Sequence, residues 1–355
     1  MCNINVLDLS NAVLWNKCLD KLPSRCQDVY FTPEYYSLYQ NHGDGEALCF
    51  VFEKDGNIAL YPFLKNPITP LGYELDKEYY DIQGAYGYNG LIASTEDKAF
   101  ISAFWKEFDA YCQENDIIAE FMRFHPLLNN QRLASPEMKT FFSRYTVALD
   151  LSLPLEEIWD HQFNSQCRRK VRKSEREGVS VIESSDYKEF RSIYDETMRD
   201  LNAEEFYFFP QSYYDEYLSS FKDNSFLCFG MLDDKIIAGT MFMFSQDYAH
   251  YHLSARNRDY SQYVAHFLII WYGIKKAKDL GCKWFHLGGG TTGDENDSLL
   301  FFKQSFSKLK TEFWIGKRVH NQNIYNQIVE QWKNKYPKSY EAHRVMLLGY
   351  REIEK

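Results

Sequence analysis

The chain contains no C-x-x-C pair, no H-E-x-x-H, no G-x-S-x-G and no long apolar run. The first two absences remove the commonest dithiol and zinc frameworks, and the third removes the nucleophile elbow of an α/β-hydrolase. The longest apolar stretch, Ala265 to Ile274 broken by His266, falls well short of the ~20 residues a membrane helix needs. The N-terminus, MCNINVLDLSNAV, lacks a basic segment followed by an apolar one, so no secretory signal is expected. A net positive charge is also lacking. A net charge of −10 does not suit a protein coated for duplex DNA, which binds by releasing counterions against a basic face.

What is present points to a large globular protein. At 355 residues the chain is long enough for two domains. The 8 cysteines are dispersed, which reads as reduced thiols in a cytoplasmic protein. Aromatics are abundant, with 27 Tyr and 27 Phe, favouring large cores and amphipathic clefts. The chain also repeats itself. Phe31-Thr-Pro33-Glu-Tyr35-Tyr36 returns as Phe209-Pro210-Gln-Ser-Tyr213-Tyr214, and ALCFVFEKDGNIALYPFLK returns as SFLCFGMLDDKIIAGTMFMF, at nearly one offset. Each copy carries two apolar strand patterns around a turn, Lys54-Asp55-Gly56 or Asp233-Asp234. A helical pattern and a further strand follow in each half: residues 96–115 then IIAEFMRF, and residues 262–280 then Gly281 and CKWFHL. Two similar α/β domains are expected, 1–150 and 151–355, with a C-terminal helix through Ile324, Ile328 and Trp332 packed on the second.

Four stretches carry the candidate chemistry. LGGGTTGDENDS, Leu287 to Ser298, spells G-x-G-x-x-G between a strand and a helix. Asp294 and Glu295 stand where a P-loop needs Lys and Ser or Thr, and too little chain follows for a doubly wound sheet. The glycines instead suit a turn with positive φ at the carboxyl end of a strand, where ligands gather in open α/β sheets. SQCRRKVRKSEREGVSV, from Ser165, forms a mostly polar-faced helix. It reads either as a solvated helix or as an anion site with bidentate Arg forks. AHYHLSA places His250 and His252 on one strand face; with His286 they offer imidazoles, but nothing else supports a metal, and no metal is expected. YYDIQGAYGYNG groups tyrosines and glycines around Asp81, an aromatic loop or a sugar- or peptide-binding one.

Together these residues resemble the Fem family of peptidoglycan-bridge aminoacyltransferases and its FemAB-like, GNAT-related relatives. Asp81 with Tyr86-Gly87-Tyr88-Asn89-Gly90 is similar to the family's D…YGYGG, with Asn89 in place of Gly. Arg168-Arg169-Lys170-Val171-Arg172-Lys173 through Gly178-Val179 is similar to RRxIRKAxxxGV. Leu287-Gly288-Gly289 with Ser298-Leu299 and Phe302-Lys303-Gln-Ser-Phe306 is similar to LGG…SLxxFKxxF. The match spans most of the chain.

The resemblance implies an α/β (α+β) fold of two tandem GNAT-like domains, each a mixed, mostly antiparallel sheet flanked by helices. It also implies an N-acyltransferase moving an aminoacyl group from aminoacyl-tRNA to the amine of a phosphorylated cell-envelope precursor. Lys303 would be catalytic, stabilising the reacting carbonyl. Asp81, Tyr86 and Tyr88 would hold the acceptor; Arg168, Arg169 and Arg172 would lie near phosphates; and Tyr251, Gly288, Gly289 and Phe302 would touch substrate. No tightly bound cofactor is expected, since the acyl donor is a co-substrate, and the tRNA acceptor end and a transient membrane-surface contact are expected partners. Two departures accompany the match. The chain has no heptad run for the coiled-coil arm of bridge-forming relatives, and Arg256 to Ala265 lacks both glycines of the acyl-CoA loop Arg/Gln-x-x-Gly-x-Gly/Ala. Two alternatives stay open, acyl-CoA as donor to an amino sugar or peptide, and a non-catalytic module that binds phosphorylated glycan precursors.

Overall fold

A computed structural model describes residues 2–353. Its strands in chain order are β1 (Cys2–Asp8), β2 (Glu46–Lys54), β3 (Asn57–Pro67), β4 (Tyr80–Gln83), β5 (Ile92–Ala93), β6 (Ile117–Arg123), β7 (Lys139–Asp150), β8 (Val179–Ser184), β9 (Ser225–Leu232), β10 (Lys235–Phe244), β11 (Tyr248–Arg256), β12 (Trp284–Gly289) and β13 (Lys310–Val319). The expected hairpins form. Asp55 and Gly56 turn β2 into β3 with φ of 51° and 81°, and Asp233, at φ 51°, begins the turn from β9 to β10. Positive φ at such positions matches the twist of the flanking strands.

The chain divides into two units. One comprises the residues up to Cys26, Tyr30–Ser143 and the residues from Phe313 on; the other comprises Gln27–Val29 and Arg144–Glu312. Within the first unit the strand order is β1-β2-β3-β4-β6-β13, with β5 beside β3, and within the second it is β8-β9-β10-β11-β12-β7. The duplication therefore extends strand by strand. In each unit a single pair is parallel, β4 with β6 and β11 with β12, and the other named pairs are antiparallel. A helix follows the same point of each copy, Lys98–Glu114 before β6 and Ala265–Asp279 before β12.

The expected boundary at 150/151 is corrected by an exchange of strands. β7 follows β6 in the chain, yet its Thr146–Asp150 portion pairs with β12; β13 follows β12, yet Ile315–Val319 pair with β6. The residues after Phe313 thus belong with the first half, and the C-terminal helix does too. Gln322–Lys335 buries Ile328 and Trp332 in a cluster with Tyr73, Tyr79, Ile118 and Tyr350. Alternating hydrophobicity reports which face of a strand is buried and says nothing of which edge it joins.

In the second unit the Ser165–Arg176 and Ala265–Asp279 helices share one core with the apolar faces of β7, β11 and β12, built from Val147, Val171, Ala249, Ile270, Phe285 and Leu287 among others. Among the described residues no helix is long and apolar enough to cross a membrane.

Candidate functional site

The second unit has an opening built into its sheet. β11 and β12 pair only at Tyr248↔Trp284, Ala249↔Phe285 and His250↔His286. Beyond that rung β11 follows β10 to Arg256, while β12 follows β7 to Gly289. Each strand also carries an irregularity there. The β10–β11 register shifts between Met241 and Phe242, skipping His252, and the β12–β7 register shifts between His286 and Gly288. Bulges bend strands and re-aim side chains. Two parallel strands thus part at their carboxyl ends, the position at which open α/β sheets bind ligands.

The glycine turn fills one side of this opening. Gly288 has φ 74°, the left-handed region that glycine enters without steric cost. At Gly289 a Cβ would lie 2.9 Å from the Tyr145 carbonyl oxygen and 3.2 Å from Arg144 Cδ, so only glycine allows β7 this close. The rest of the turn is organised by Asp297. One carboxylate oxygen accepts from Leu299 N (2.9 Å) and Leu300 N (3.0 Å), capping the Ser298–Gln304 helix. The other accepts from Thr291 N (3.0 Å), Thr291 Oγ1 (2.6 Å), Thr292 N (3.0 Å) and Thr292 Oγ1 (3.2 Å). Burial works to raise the Asp297 pKa, but the bonds from Thr291, Leu300 and Thr292 win and hold the carboxyl well below its usual range. Arg144 donates through Nη1 to the carbonyls of Gly290 (3.0 Å) and Thr291 (2.8 Å). Amides that would cradle a phosphate are spent on a carboxylate of the chain itself, so the G-x-G-x-x-G has no nucleotide role.

Lys303 points back from that helix to the turn. It is 7% exposed, its Nζ donates to the Gly289 carbonyl at 2.6 Å and lies 5.8 Å from the centre of the Tyr251 ring. Gly289 ends β12 and Tyr251 is the first β11 residue past the last shared rung, so the amine bridges the parting strands. Burial lowers its pKa to about 7; the Asp297 charge opposes that fall and the Arg144 charge adds to it. Of the three N–H donors of an ammonium, one is used by Gly289, and among the described residues no second acceptor takes a hydrogen bond from it. Phe302 packs beside it against Phe267 (5.1 Å between ring centres) and Phe306 (5.6 Å).

The sequence-derived set is thus partly assembled. Lys303, Phe302, Tyr251, Gly288 and Gly289 form one group. The basic helix Ser165–Arg176 touches its edge, where the Lys170 ammonium lies 4.5 Å from the Phe267 ring centre. Arg168 departs from the phosphate-binding expectation. Its Nη1 donates to the carbonyls of Trp159 (3.1 Å), Asp160 (2.8 Å) and Phe163 (2.6 Å), tying down the turn before the helix. Arg169 and Arg172 stay exposed. Asp297 and Arg144 were missed. Asp297 had a legible signal, an N-cap residue directly before an apolar helical run; Arg144, far away in the chain, had none.

In the first unit Asp81 requires a correction. It is fully buried, and its oxygens are taken by Tyr350 Oη (2.6 Å) and Arg351 Nε (3.0 and 2.8 Å). Burial raises its pKa, partly offset by the Arg351 charge. The carboxylate anchors the C-terminal segment and leaves no oxygen open to an acceptor. Arg351 also donates to the carbonyls of Asn66 (3.1 Å) and Pro67 (3.2 Å). Arg351→Met should strand a buried charge and cost about 3 kcal/mol, read as a lowered urea midpoint at unchanged slope; an unchanged midpoint would show the pair to be dispensable. Tyr86 receives the Tyr35 hydroxyl on its carbonyl (2.5 Å), and Tyr88 lies edge-on to Tyr30 and Phe313 at 5.2 and 5.3 Å. Asn89, standing where the family has Gly, is buried and accepts from Arg123 N at 2.7 Å, continuing the β4–β6 pairing.

The His250 and His286 rings lie 5.6 Å apart, edge to face, yet each of the three histidines has its own hydrogen-bond partner. His250 Nε2 meets Asp28 (2.8 and 3.0 Å), His252 Nε2 meets the Tyr213 hydroxyl (3.0 Å), and His286 Nε2 meets Thr146 Oγ1 (2.9 Å). Burial pushes the His252 pKa down to about 3, reinforced by His250, so its ring is a neutral partner of Tyr213.

Comparison with known proteins agrees with this architecture. Residues 161–298 match the family described as acetyltransferase (GNAT) domain, a span holding the basic helix, β8 to β12 and the glycine turn, and ending just short of Lys303. No curated protein matches the chain in sequence. Among solved structures, FemX matches with a TM-score of 0.72 at 13% identity, over 91% of this chain and 99% of FemX. A conserved protein of unknown function from Bacteroides thetaiotaomicron matches with a TM-score of 0.57 at 10% identity, over 90% and 100%. The C-terminal domain of a putative lysylphosphatidylglycerol synthetase from Agrobacterium fabrum matches with 0.54 at 15% identity, over 87% and 93%. At these identities the likeness is one of fold, and at that level the Fem-like resemblance and the mixed, GNAT-like α/β sheets are borne out.

Proposed function

We propose that this chain, whose residues 161–298 are similar to GNAT acyltransferase domains within a FemX-like fold, is an N-acyltransferase acting on the amine of a phosphorylated cell-envelope precursor. The observation that carries the reading is the buried Lys303 amine, held on Gly289 where β11 and β12 part, with donors unspent. A fold neighbour named as a putative lysylphosphatidylglycerol synthetase supports aminoacyl transfer to an envelope molecule. The donor we propose is an aminoacyl ester of tRNA, bound as a co-substrate, and the setting is the cytoplasm with transient contact at the membrane surface.

The chemistry follows from what such a reaction needs. The acceptor nitrogen attacks the ester carbonyl, an N–C bond forms and the C–O bond breaks. Nitrogen gives up one proton and the departing ribose oxygen takes one. Between these events the carbonyl oxygen carries negative charge, and a pre-positioned N–H aimed at it lowers the barrier by a few kcal/mol. Lys303 supplies that N–H in a site where burial strengthens the interaction. An amine titrating near pH 7 also suits delivery of the proton to the leaving oxygen. Phe302 and Tyr251 flank the reacting group and exclude water.

An ester donor is favoured by the segment before the Ala265–Asp279 helix. Arg258–Tyr263 forms a short helical turn, Val264 takes φ 50°, and Lys173 Nζ holds the Gln262 carbonyl at 2.7 Å. No glycine opens the backbone there for a pyrophosphate. Thermal-shift titration with aminoacyl-tRNA, acetyl-CoA and a UDP-linked muropeptide tests the reading. Stabilisation by the aminoacyl-tRNA and the muropeptide is expected; stabilisation by the CoA thioester alone would replace the ester donor with acyl-CoA.

A further inference from the structure

We infer that the proton given up by the attacking amine leaves along Thr311, Thr146 and His286, a hydroxyl chain that ends on an imidazole, on the face of the sheet opposite Lys303. The inference rests on the acyl-transfer reading and assigns a step that Lys303 does not perform. Lys303 serves the carbonyl oxygen, and a second group must take the proton from nitrogen.

Successive side chains of a strand point to opposite faces. On β7, β11 and β12, Val147, Ala249, Phe285 and Leu287 face the core shared with the Ser165–Arg176 and Ala265–Asp279 helices. Leu300 and Phe302, from the helix that carries Lys303, join the same core. Thr146, His250 and His286 alternate with those strand residues and therefore point the other way. The opening where β11 and β12 part thus presents an amine on one face and imidazoles with hydroxyls on the other. That division suits amide formation. A nucleophile approaches a trigonal carbonyl carbon from above its plane, whereas the carbonyl oxygen is served from a different direction. An ester whose oxygen meets Lys303 is therefore open to attack from the histidine face.

The groups on that face are linked. His286 Nε2 lies 2.9 Å from Thr146 Oγ1, which lies 2.6 Å from Thr311 Oγ1. Thr146 is the register partner of Gly289, whose carbonyl holds Lys303, so the chain passes across one strand pair from the anchor of the amine. Its outer end reaches solvent, for Thr311 is half-buried while Thr146 and His286 are 1% and 2% exposed. A neutral imidazole that carries its proton on Nδ1 accepts at Nε2. Thr146 then donates to His286, Thr311 donates to Thr146, and the Thr311 oxygen accepts from the incoming N–H.

A compensating charge stands behind His286. Its edge-on neighbour His250 is bonded to Asp28, a fully buried carboxylate, and negative charge there favours an imidazolium on His286. The other titratable groups on this face have separate roles. His252 is a neutral partner of the Tyr213 hydroxyl, Tyr248 lies 6.3 Å from the His250 ring, and Arg144 is engaged by the Gly290 and Thr291 carbonyls.

The step balances. As the N–C bond forms, nitrogen passes a proton to Thr311, Thr311 passes its own to Thr146, and Thr146 passes its own to His286 Nε2. The C–O bond then breaks, and the departing ribose oxygen takes a proton from Lys303. After release the His286 imidazolium loses its proton to water and Lys303 regains one from water, which restores the starting state.

Single-turnover transfer from aminoacyl-tRNA to a UDP-linked muropeptide, with both saturating, tests the assignment in Thr146→Val, Thr311→Val and His286→Asn. Each substitution should slow transfer ~100-fold and leave half-saturation by the muropeptide unchanged. Thr146→Val combined with His286→Asn should be no slower than either alone, because groups that act as one unit lose their effect together. The wild type should slow in heavy water, and that isotope effect should shrink in each variant. Thermal midpoints report folding. Should His286→Asn fail to fold, the two Thr variants and their combination carry the same test. Wild-type rates in either Thr variant, losses that multiply in a double variant, or losses confined to half-saturation would overturn the proposal. The two readings separate through Lys303→Met. Transfer that needs Lys303 and ignores these three residues would remove the relay and keep the function. Transfer from a CoA thioester alone, slowed by all three substitutions, would keep the relay and replace the donor. No transfer by the wild type from any donor would remove both.

Discussion

Lys303→Met is expected to lower the acyl-transfer rate ~10²- to 10³-fold while making the protein more stable below pH 7. The first effect is the usual loss on removing one donor from a developing oxyanion. The second follows from proton linkage. The Lys303 pKa falls from 10.5 to about 7 on folding, so between those values the unfolded chain binds more protons and stability rises with pH. Below pH 7 the buried amine is charged and the whole penalty is present, at ~1.4 kcal/mol for each tenfold change in its acidity, or a few kcal/mol in all. Methionine fills similar space without charge and removes it, so calorimetry should show the variant melting several degrees higher at pH 6 and the gain shrinking toward pH 10. The wild-type kcat/KM should carry a descending limb centred near pH 7 that the residual rate of the variant lacks. A variant that is inactive and less stable at pH 6 would mean that Lys303 is a structural lysine.

The second large effect is expected at Asp297. Asp297→Ala removes the cap of the Ser298–Gln304 helix, about 1 kcal/mol, and the charged bonds to Thr291 and Thr292. Together these are worth on the order of 3–4 kcal/mol, measured as a lowered urea midpoint. The rate should fall at least tenfold as well, because Gly289 and the Lys303 helix are positioned through this carboxylate. Asp297→Asn, which keeps the shape and loses the charge, should fall between wild type and Asp297→Ala. Activity equal to wild type in Asp297→Ala would show that the turn does not align the lysine.

Local features of this fold were legible in the sequence because they depend on nearby residues. Asp55-Gly56 and Asp233-Asp234 turn because of their own backbone preferences, and the duplicated pattern around them exposed two similar units. The Gly288-Gly289 turn and Lys303 meet because a single helical run separates them. Distant pairings were not legible. β7 pairs with β12 and β13 with β6, each in the other half's unit, although each has the alternation of an ordinary final strand. Asp81 looked like a ligand-binding acid in a tyrosine- and glycine-rich loop, and its partner Arg351 lies at the other end of the chain. Arg168 and Arg172 shared one helical face, but only the turn before the helix decides that Arg168 folds onto carbonyls while Arg172 stays outside. Asp297 is an intermediate case: its N-cap position before an apolar helical run is legible locally, whereas its bonds to Thr291 and Thr292 depend on how the turn folds back.

The proposed reaction forms an amide beside the Lys303 amine, in the opening between β11 and β12. Single-turnover transfer from radiolabelled aminoacyl-tRNA to a UDP-linked muropeptide, followed by isolation of the acceptor, measures it most directly. Label should appear in the acceptor as a base-stable amide with wild-type protein and roughly 100-fold more slowly, or slower still, with Lys303→Met. Equal rates for the two proteins, or label that never leaves the tRNA ester while both substrates are bound, would contradict the account.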